Sequence, residues 1–339
     1  MNNNRDRLLL IDGNALMHRA YHAMPPLKDR QGNPRGAVYG FLRMMLRTMR
    51  DLQPLNVAVC FDRPEPTFRK QLYIAYQAQR PEMEPDLVYQ MQSVHDVLKA
   101  MGTAVFEMPG YEADDLLGTI SHKVSGLNKS GGISKQVDSS EETMTSIAPS
   151  DLEDKSSLPM ETIILTGDKD LMQLVSDSVY LYMPKKGVNE ALWVDRDQVK
   201  AILGIPPELV VDYKGLVGDA SDNYPGVVGI GPKTAIQLLE EFKNMDGIYE
   251  AVDNLDKFNL KPNVVKKLLA GRDGGVLSRE LATIKTDVDF KFDLNTCINV
   301  LDNPGKLARV LDDFGFKSLA NQLGLESQVG DGAEQMQLL

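Results

Sequence analysis

The chain has 339 residues, of which 42% are hydrophobic, so it is long enough to bury the core of one large or two ordinary domains. Its two cysteines, Cys60 and Cys297, are far apart and lie in no Cys/His motif, which excludes a recognisable disulfide framework or zinc site. This cysteine usage is typical of a reducing cytoplasm. The apolar run at residues 8–11 is too short for a signal peptide or a membrane span, so we expect a cytoplasmic protein without a membrane partner.

The formal net charge of −11 does not exclude a nucleic-acid partner. DNA affinity comes largely from Lys and Arg side chains that neutralise phosphates, which an acidic chain opposes on average. Residues 126–161, however, hold seven acids and three lysines, and a metal site among the other acids would cancel further charge. The position of the charges therefore matters more than their sum.

Strands and helices alternate along the first part of the chain. Apolar runs predict strands over residues 7–12, 56–61, 103–108 and 162–166. Helical spacing predicts helices after the first strand, over residues 37–51 and 87–101, and from residue 111 onward. This alternation predicts an α/β fold with a parallel sheet that is covered on both faces.

Two segments interrupt this alternation. Residues 126–160 are rich in Ser, Gly, Thr, Lys and Glu, which predicts a disordered surface insertion. Residues 63–85 follow a strand end and interleave basic with aromatic side chains, among them Arg69, Lys70, Tyr73, Tyr76 and Arg80. The segment could be an ordinary solvated loop. It could also clamp a single strand, with Tyr73 and Tyr76 stacking on bases and Arg80 holding a phosphate.

The pattern becomes helical after residue 205. We therefore predict an α/β core over residues 1–205 and a helical subdomain over residues 206–290. A C-terminal segment, residues 291–325, is predicted to pack on the core, and residues 326–339 form a polar tail that we expect to be disordered.

Carboxylates collect where the predicted strands end. In a parallel sheet these ends share one edge, which is where ligands bind. The acids are Asp12, Asp62, Glu112, Asp114, Asp115, Asp168, Asp170, Asp219 and Asp222. Any one of them could simply cap a helix or a turn. Together they would repel one another unless cations were bound, and oxygen ligands alone favour Mg²⁺ or Mn²⁺. Two such ions would suit the hydrolysis of a phosphodiester bond.

A glycine-rich turn spans residues 226–235. It is not a phosphate-binding P-loop, because Pro232 separates Gly231 from Lys233. Pro232 is instead predicted to be the first residue of a helix, with outward N–H groups that could hold one DNA phosphate. The alternative is a plain connection between helices.

Seven stretches of the chain resemble the 5′-3′ exonuclease domain of bacterial DNA polymerase I and the wider flap endonuclease family. They are IDGNALMHRAYHA, AVYGF, AVCFDRPEPTFR, PGYEADDLLG, TGDKDLMQLVSD, GLVGDASDNYPGVVGIGPKTA and LATIKTDV. The resemblance covers roughly residues 7–320. It implies a PIN-like core, a helical arch over residues 63–85 and a subdomain of the helix-hairpin-helix type.

The resemblance also implies a function and a set of roles. The function is the removal of 5′ flaps and RNA primers from nicked or primed DNA during replication and repair. It requires two Mg²⁺ or Mn²⁺ ions, and family members often hold a K⁺ ion at the glycine hairpin. The nine acids would hold the metal ions, and Arg19 and Arg80 would contact the scissile phosphate as catalytic residues. DNA contacts would come from Arg69, Lys70, Tyr73, Tyr76, Gly229, Gly231, Lys233 and Thr234. We expect a monomer.

One departure from the family pattern concerns catalysis. Many members have Tyr-Lys-x-x-Arg where this chain has Tyr76, Gln77 and Arg80, so the lysine thought to assist catalysis is absent. Two alternatives therefore stay open: a module that binds branched DNA with weak or no cleavage, and a phosphatase for small phosphomonoesters. The sequence also leaves open whether the nuclease stands alone or is the N-terminal part of a polymerase.

Overall fold

The structure, a computed structural model, describes residues 6–129, 159–185, 191–254 and 261–325, without the side chains of residues 128 and 129. Most of the predicted insertion and all of the predicted tail lie outside these ranges. The ends of the insertion need correction, because residues 126–129 continue a helix and Met160 is buried. Within the described residues, no helix combines the length and the apolar character needed to cross a membrane.

The described residues form one six-stranded sheet. The strands are β1 (Arg7–Asp12), β2 (Asn56–Cys60), β3 (Ala104–Phe106), β4 (Glu161–Leu165), β5 (Val179–Pro184) and β6 (Ala191–Val194). Their order is β3-β2-β1-β4-β5-β6, and only the β5–β6 pairing is antiparallel. The predicted parallel α/β sheet is confirmed, with an added antiparallel edge strand.

The central strand β1 is buried on both faces. It pairs with β2 on one side and β4 on the other, and residues 8–11 are fully buried. Leu8 and Leu10 belong to one hydrophobic core, whereas Leu9 and Ile11 belong to the core on the opposite face. A continuous apolar run is what such a two-sided strand requires, because successive side chains point to opposite faces.

Helices cover both faces of the sheet and continue beyond it. Those within or beside the sheet region are α1 (Gly13–Ala23), α2 (Gly36–Leu52), α3 (Phe68–Leu72), α4 (Pro85–Met101), α5 (Ala113–Lys129) and α6 (Arg196–Leu203). The later helices are α7 (Val210–Val217), α8 (Pro232–Phe242), α9 (Met245–Asp253), α10 (Pro262–Ala270), α11 (Arg272–Ala282), α12 (Pro304–Asp313) and α13 (Lys317–Gln322). Short 3₁₀ helices are Asp170–Leu174, Pro207–Leu209, Leu294–Thr296 and Val300–Asp302. As predicted, α8 begins at Pro232.

The segment 63–85, which we call the arch segment, crosses the carboxyl edge of the sheet. It contains the short helix α3 and then turns, with Gln77 in the left-handed region at φ 55°. Its second half is tied to the loop after α7, because the Asn223 side chain donates to the Ala75 carbonyl at 2.7 Å and the Gln77 N–H donates to the Asp222 carbonyl at 2.9 Å. The arch segment therefore lies between the sheet and the later helices.

Candidate metal centre and nucleic-acid surface

Four carboxylates, Asp12, Asp62, Asp114 and Asp168, lie together at the carboxyl edge of the sheet, and we call them the first acidic group. Asp12 ends β1 and caps α1 by accepting a hydrogen bond from the Ala15 N–H at 2.9 Å. The Thr166 hydroxyl donates to Asp12 at 2.7 Å and accepts from the Asp168 N–H at 2.9 Å, which links the ends of β1 and β4.

Asp62 and Asp114 complete this group from the neighbouring elements. Asp62 accepts a hydrogen bond from the Ala113 N–H at 2.6 Å, so the acid that follows β2 also caps α5. Asp114 stands in the first turn of the same helix. The helix start thus holds both carboxylates beside β1.

Burial and mutual repulsion raise the pKa of three of these acids. Burial, followed by the charges of Asp62 and Asp168, raises the pKa of Asp12 to about 7. Burial and the neighbouring acids, Asp168 first, raise the pKa of Asp114 well above its ordinary value. Burial likewise raises the pKa of Asp62. Among the described residues, no Lys or Arg forms an ion pair with any member of the first acidic group.

A second acidic group, Asp170, Asp219 and Asp222, lies next to the first and contains its own cations. The Lys214 ammonium contacts Asp170 and Asp219, each at 2.5 Å. Burial and Asp168 raise the pKa of Asp170 to about 6, against the lowering effect of Lys214. For Asp219, burial is outweighed by hydrogen bonds from Lys214 and Ser221, which lower its pKa to about 2.

Asp222 holds the arch segment through its side chain. Arg80 donates to Asp222 Oδ1 at 2.6 Å, and the Gln77 amide donates to the same oxygen at 3.3 Å. Arg80 is 53% exposed and so also faces solvent above the acids. Arg19, the other predicted catalytic arginine, donates to the Lys185 carbonyl.

Glu112 and Asp115, both predicted metal ligands, are bound instead by Arg69. The Arg69 guanidinium makes two bonds of 2.8 Å to Asp115 and one of 3.1 Å to Glu112. Asp115 is fully buried and also accepts from the Glu112 and Lys285 N–H groups. In this arrangement the oxygens of Asp115 are occupied by a guanidinium and two amides, and its role as a metal ligand stays a prediction.

The same contacts correct two predicted DNA contacts. Arg69 is 2% exposed, and Tyr76 is 3% exposed with its hydroxyl donating to Glu112 at 3.2 Å. Both side chains hold the arch segment from its buried side, and in this arrangement they are not accessible to DNA. Lys70 is exposed and Tyr73 is half-buried, so these two keep an accessible surface.

The glycine hairpin, residues 226–231, presents its tip to solvent. Gly229 adopts φ 86°, a conformation that favours glycine, and the adjacent Val228 is 76% exposed. Gly231 and Lys233 are exposed, and Thr234 is half-buried. The Lys267 ammonium donates to the Gly229 carbonyl at 2.9 Å, so this carbonyl already has a cationic partner.

The donor set of the acidic groups fits a hard divalent cation. Only oxygen atoms are available, and the first acidic group has buried charge without an internal cation. In the part of the chain that the structure describes, no three acidic, histidine or cysteine side chains stand ready to ligate one ion. Binding an ion would thus require side chains of the group to rotate toward it.

Sequence reasoning missed Lys214, Thr166, Lys267 and the inward role of Arg69. Lys214 stands only five residues before Asp219, in a helix with no special motif, so its contact with Asp170 is invisible without the fold. Thr166 ends a strand beside Asp168, a position that could have suggested its role. The other two depend on contacts between segments far apart in sequence.

Comparison with known proteins agrees with this architecture. Residues 7–137 match the family described as 5′-3′ exonuclease, N-terminal resolvase-like domain, and residues 205–304 match 5′-3′ exonuclease, C-terminal SAM fold. A 5′-3′ exonuclease of Buchnera aphidicola is 34% identical over 283 residues, which cover 83% of this chain and 82% of that protein. DNA polymerase I of Bacillus subtilis is 32% identical over 95% of this chain, which spans only 33% of the polymerase.

Solved structures share the fold. The T5 D15 protein, co-crystallised with metal ions, has a TM-score of 0.60 at 17% identity and covers 94% of this chain and 99% of its own. The catalytic core of Rad2 in complex with a DNA substrate has a TM-score of 0.53 at 15% identity. The match covers 95% of this chain and 93% of the Rad2 chain.

The fold and site define an α/β protein with an acidic sheet edge beneath an arch. The chain belongs to the 5′-3′ exonuclease family, as the sequence resemblance predicted, and is a nuclease.

Proposed function

We propose that this nuclease is a metal-dependent 5′ nuclease that cuts phosphodiester bonds at 5′ flaps and in RNA-primed DNA. The observation that carries the proposal is the first acidic group: buried carboxylates with raised pKa values, at the ligand-binding edge of a parallel sheet, without an internal cation. Acids in this state bind protons or cations, and a divalent ion replaces several protons at once.

Two Mg²⁺ or Mn²⁺ ions are the proposed cofactors. Asp12, Asp62, Asp114 and Asp168 would hold one, and Asp170, Asp219 and Asp222 would hold the other, with Glu112 beside the first. Bound ions supply positive charge that activates water for attack on phosphorus and balances the charge of the leaving oxygen. Thr166 orients Asp12 and Asp168 through its two hydrogen bonds, and the start of α5 fixes Asp62.

The proposed DNA surface has two parts. Arg80, Lys70 and Tyr73 belong to the arch segment and are exposed or half-buried, and we propose that a single strand contacts them together with the half-buried Arg19 of α1. The exposed hairpin, with Lys233 beside it, suits a duplex phosphate, which positions the substrate without reading its sequence. Together they would place a 5′ end over the acids.

A K⁺ ion at the hairpin stays a prediction. The Gly229 carbonyl is the type of ligand that such an ion would use, and Lys267 already occupies it. A polymerase domain, in cis or in trans, stays a proposal that the polymerase I relatives support, since the chain spans about a third of their length. The monomeric state and the cytoplasmic location stay predictions.

The test is cleavage of a duplex with an end-labelled 5′ flap, in Mg²⁺, in Mn²⁺ and in EDTA. We expect short labelled products from near the branch point with either metal and none in EDTA. Tight, salt-sensitive binding without products would favour the DNA-binding module instead. Turnover of a chromogenic phosphate ester without flap cleavage would favour the phosphatase.

A further inference from the structure

The hydroxyl of Tyr224 is buried beside the second acidic group without a hydrogen-bond partner. Tyr224 is 3% exposed, and its Oη is one of a few buried side-chain polar atoms in the described residues that lack a partner. A buried hydroxyl without a partner is unfavourable, so a native structure that keeps one has either an unused polar atom or a second state that uses it.

The position of this side chain is fixed relative to the acids. Asp219 and Tyr224 exchange two backbone hydrogen bonds of 3.0 Å, which form an isolated antiparallel bridge. The Tyr224 ring packs against Tyr76 and Leu281, between the arch segment and α11. The hydroxyl therefore cannot turn to solvent without breaking this packing.

Among the charged residues, Lys214 has the largest effect on the pKa of the hydroxyl. Burial raises the pKa of Tyr224, Lys214 opposes that rise, and Asp170 and Asp219 add to it. The hydroxyl thus lies in the field of the same ammonium that bridges the two carboxylates.

Lys214 occupies the place where an ion would be shared between Asp170 and Asp219. Its ammonium has three donors, of which the two carboxylate contacts use two. A divalent cation that took the same oxygens would repel the ammonium strongly at such short range. Lys214 would then need another acceptor nearby, because its side chain is only 15% exposed.

We propose that Tyr224 is a positioning residue whose hydroxyl accepts the Lys214 ammonium when a divalent cation takes the oxygens between Asp170 and Asp219. Lys214 would hold the two carboxylates in place when no ion is bound, and its ammonium would move to Tyr224 when an ion binds. The inference rests on the proposed metal-dependent function, and it adds a residue to the second acidic group that is not a ligand.

The test measures Mn²⁺ uptake by the DNA-free chain, from the electron paramagnetic resonance signal of free Mn²⁺. The variant is Tyr224→Phe, and the matched control is Tyr249→Phe. Tyr249 also has a buried hydroxyl without a partner, but its ring packs against Arg272 and not against the acidic groups. We expect Tyr224→Phe to weaken the binding of the second of two Mn²⁺ ions by about ten-fold, which corresponds to the loss of a buried hydrogen bond to a charged group. Tyr249→Phe should leave the affinity for both ions unchanged.

A second comparison shows whether Tyr224 acts through the lysine. In a Lys214→Met background no ammonium has to move, so Tyr224→Phe should then change Mn²⁺ affinity by less than about two-fold. Melting in EDTA shows that each variant folds, and we expect Tyr224→Phe to melt no lower than the parent chain.

Several results would overturn the inference. One is equal second-ion affinity in the parent chain and Tyr224→Phe, and another is an equal loss in Tyr249→Phe. The third is a ten-fold loss that persists without Lys214, because Tyr224 would then act on the ion or the packing directly. A parent chain that binds only one Mn²⁺ also contradicts it, whereas one that binds none overturns the proposed metal centre as well.

Discussion

The two acidic groups lie side by side at one edge of the sheet and differ in how their negative charge is balanced. In the first, burial and repulsion raise the pKa of Asp12 to about 7. In the second, Lys214 bridges Asp170 and Asp219, so the pKa of Asp219 falls to about 2 and that of Asp170 rises only to about 6. Carboxylates of the same type thus have different pKa values because one group has an internal ammonium and the other has none.

This difference indicates that the two groups bind ions with different affinities. The first group has raised pKa values, so it holds protons that it releases when an ion binds. A group with a lysine is held in shape before the ion arrives, and the ion must compete with the ammonium. We therefore expect the first group to hold the tighter ion and the second to hold the weaker one.

The largest effect is expected from Asp114→Asn. Removing a carboxylate from the first group should lower flap cleavage by about a thousand-fold, because a proposed ligand of the ion that acts on the phosphate is lost. The same variant should unfold at higher urea in EDTA, since it removes a buried carboxyl group whose ionised form is destabilised by burial and by its neighbours. Asp302→Asn, an exposed acid outside both groups, is the control. Cleavage within ten-fold of the parent chain would contradict the assignment.

The next effect concerns stability. Arg69→Met leaves Asp115 and Glu112 without their partner, and removing one member of a buried ion pair costs about 3–5 kcal/mol. Urea denaturation should show this loss in the free energy of unfolding. Arg63→Met breaks only exposed ion pairs and should change it far less. Equal effects of the two variants would show that Arg69 is not the internal cation that the structure indicates.

The pH dependence separates the two groups further. Because Asp12 and Glu112 keep protons up to about pH 7, Mn²⁺ must displace them, and affinity for the tighter ion should fall about ten-fold per proton for each pH unit below 7. Asp219 stays ionised over the same range. Mn²⁺ binding at pH 6, 7 and 8 is the measurement, and an affinity that does not change with pH would contradict the raised pKa values.

Folding of the ion-free chain should show the opposite trend. The folded acids hold protons that the unfolded acids have lost between their ordinary pKa and about 7, so the free energy of unfolding should decrease as the pH rises through this window. Urea denaturation in EDTA at several pH values provides the check.

The smallest effect is expected from Gln77→Lys. Arg80 already contacts Asp222 at 2.6 Å, so a second cation from the arch segment adds little, and cleavage should change by less than about three-fold. A large gain in rate would instead favour a chain that binds branched DNA and cuts it poorly.

The sheet and the first acidic group could be predicted because their signals are local. β1 is an apolar run closed by Asp12, and an acid at a strand end lies at the same edge as its neighbours. β5 and β6 could not be read in this way, since both lie toward the sheet edge and are partly exposed. They pair antiparallel to each other, unlike the other strands of the sheet.

The partners of the charged residues could not be predicted. Asp114 and Asp115 are adjacent acids in one helix turn, yet Asp115 is bound by Arg69, which lies 46 residues earlier. Helix geometry places the two side chains about 100° apart, and only the fold shows which one meets the arginine. The same applies to Lys214, whose contact with Asp170 joins two segments of the chain.

The most direct test of the central claim is a crystal of the chain soaked in Mn²⁺, with the ions located by anomalous scattering. The account predicts the stronger peak among Asp12, Asp62, Asp114 and Asp168, and a weaker peak between Asp170 and Asp219 with Lys214 displaced. Peaks only outside these groups, or a stronger peak at Asp170 and Asp219 with the first group empty, would contradict it.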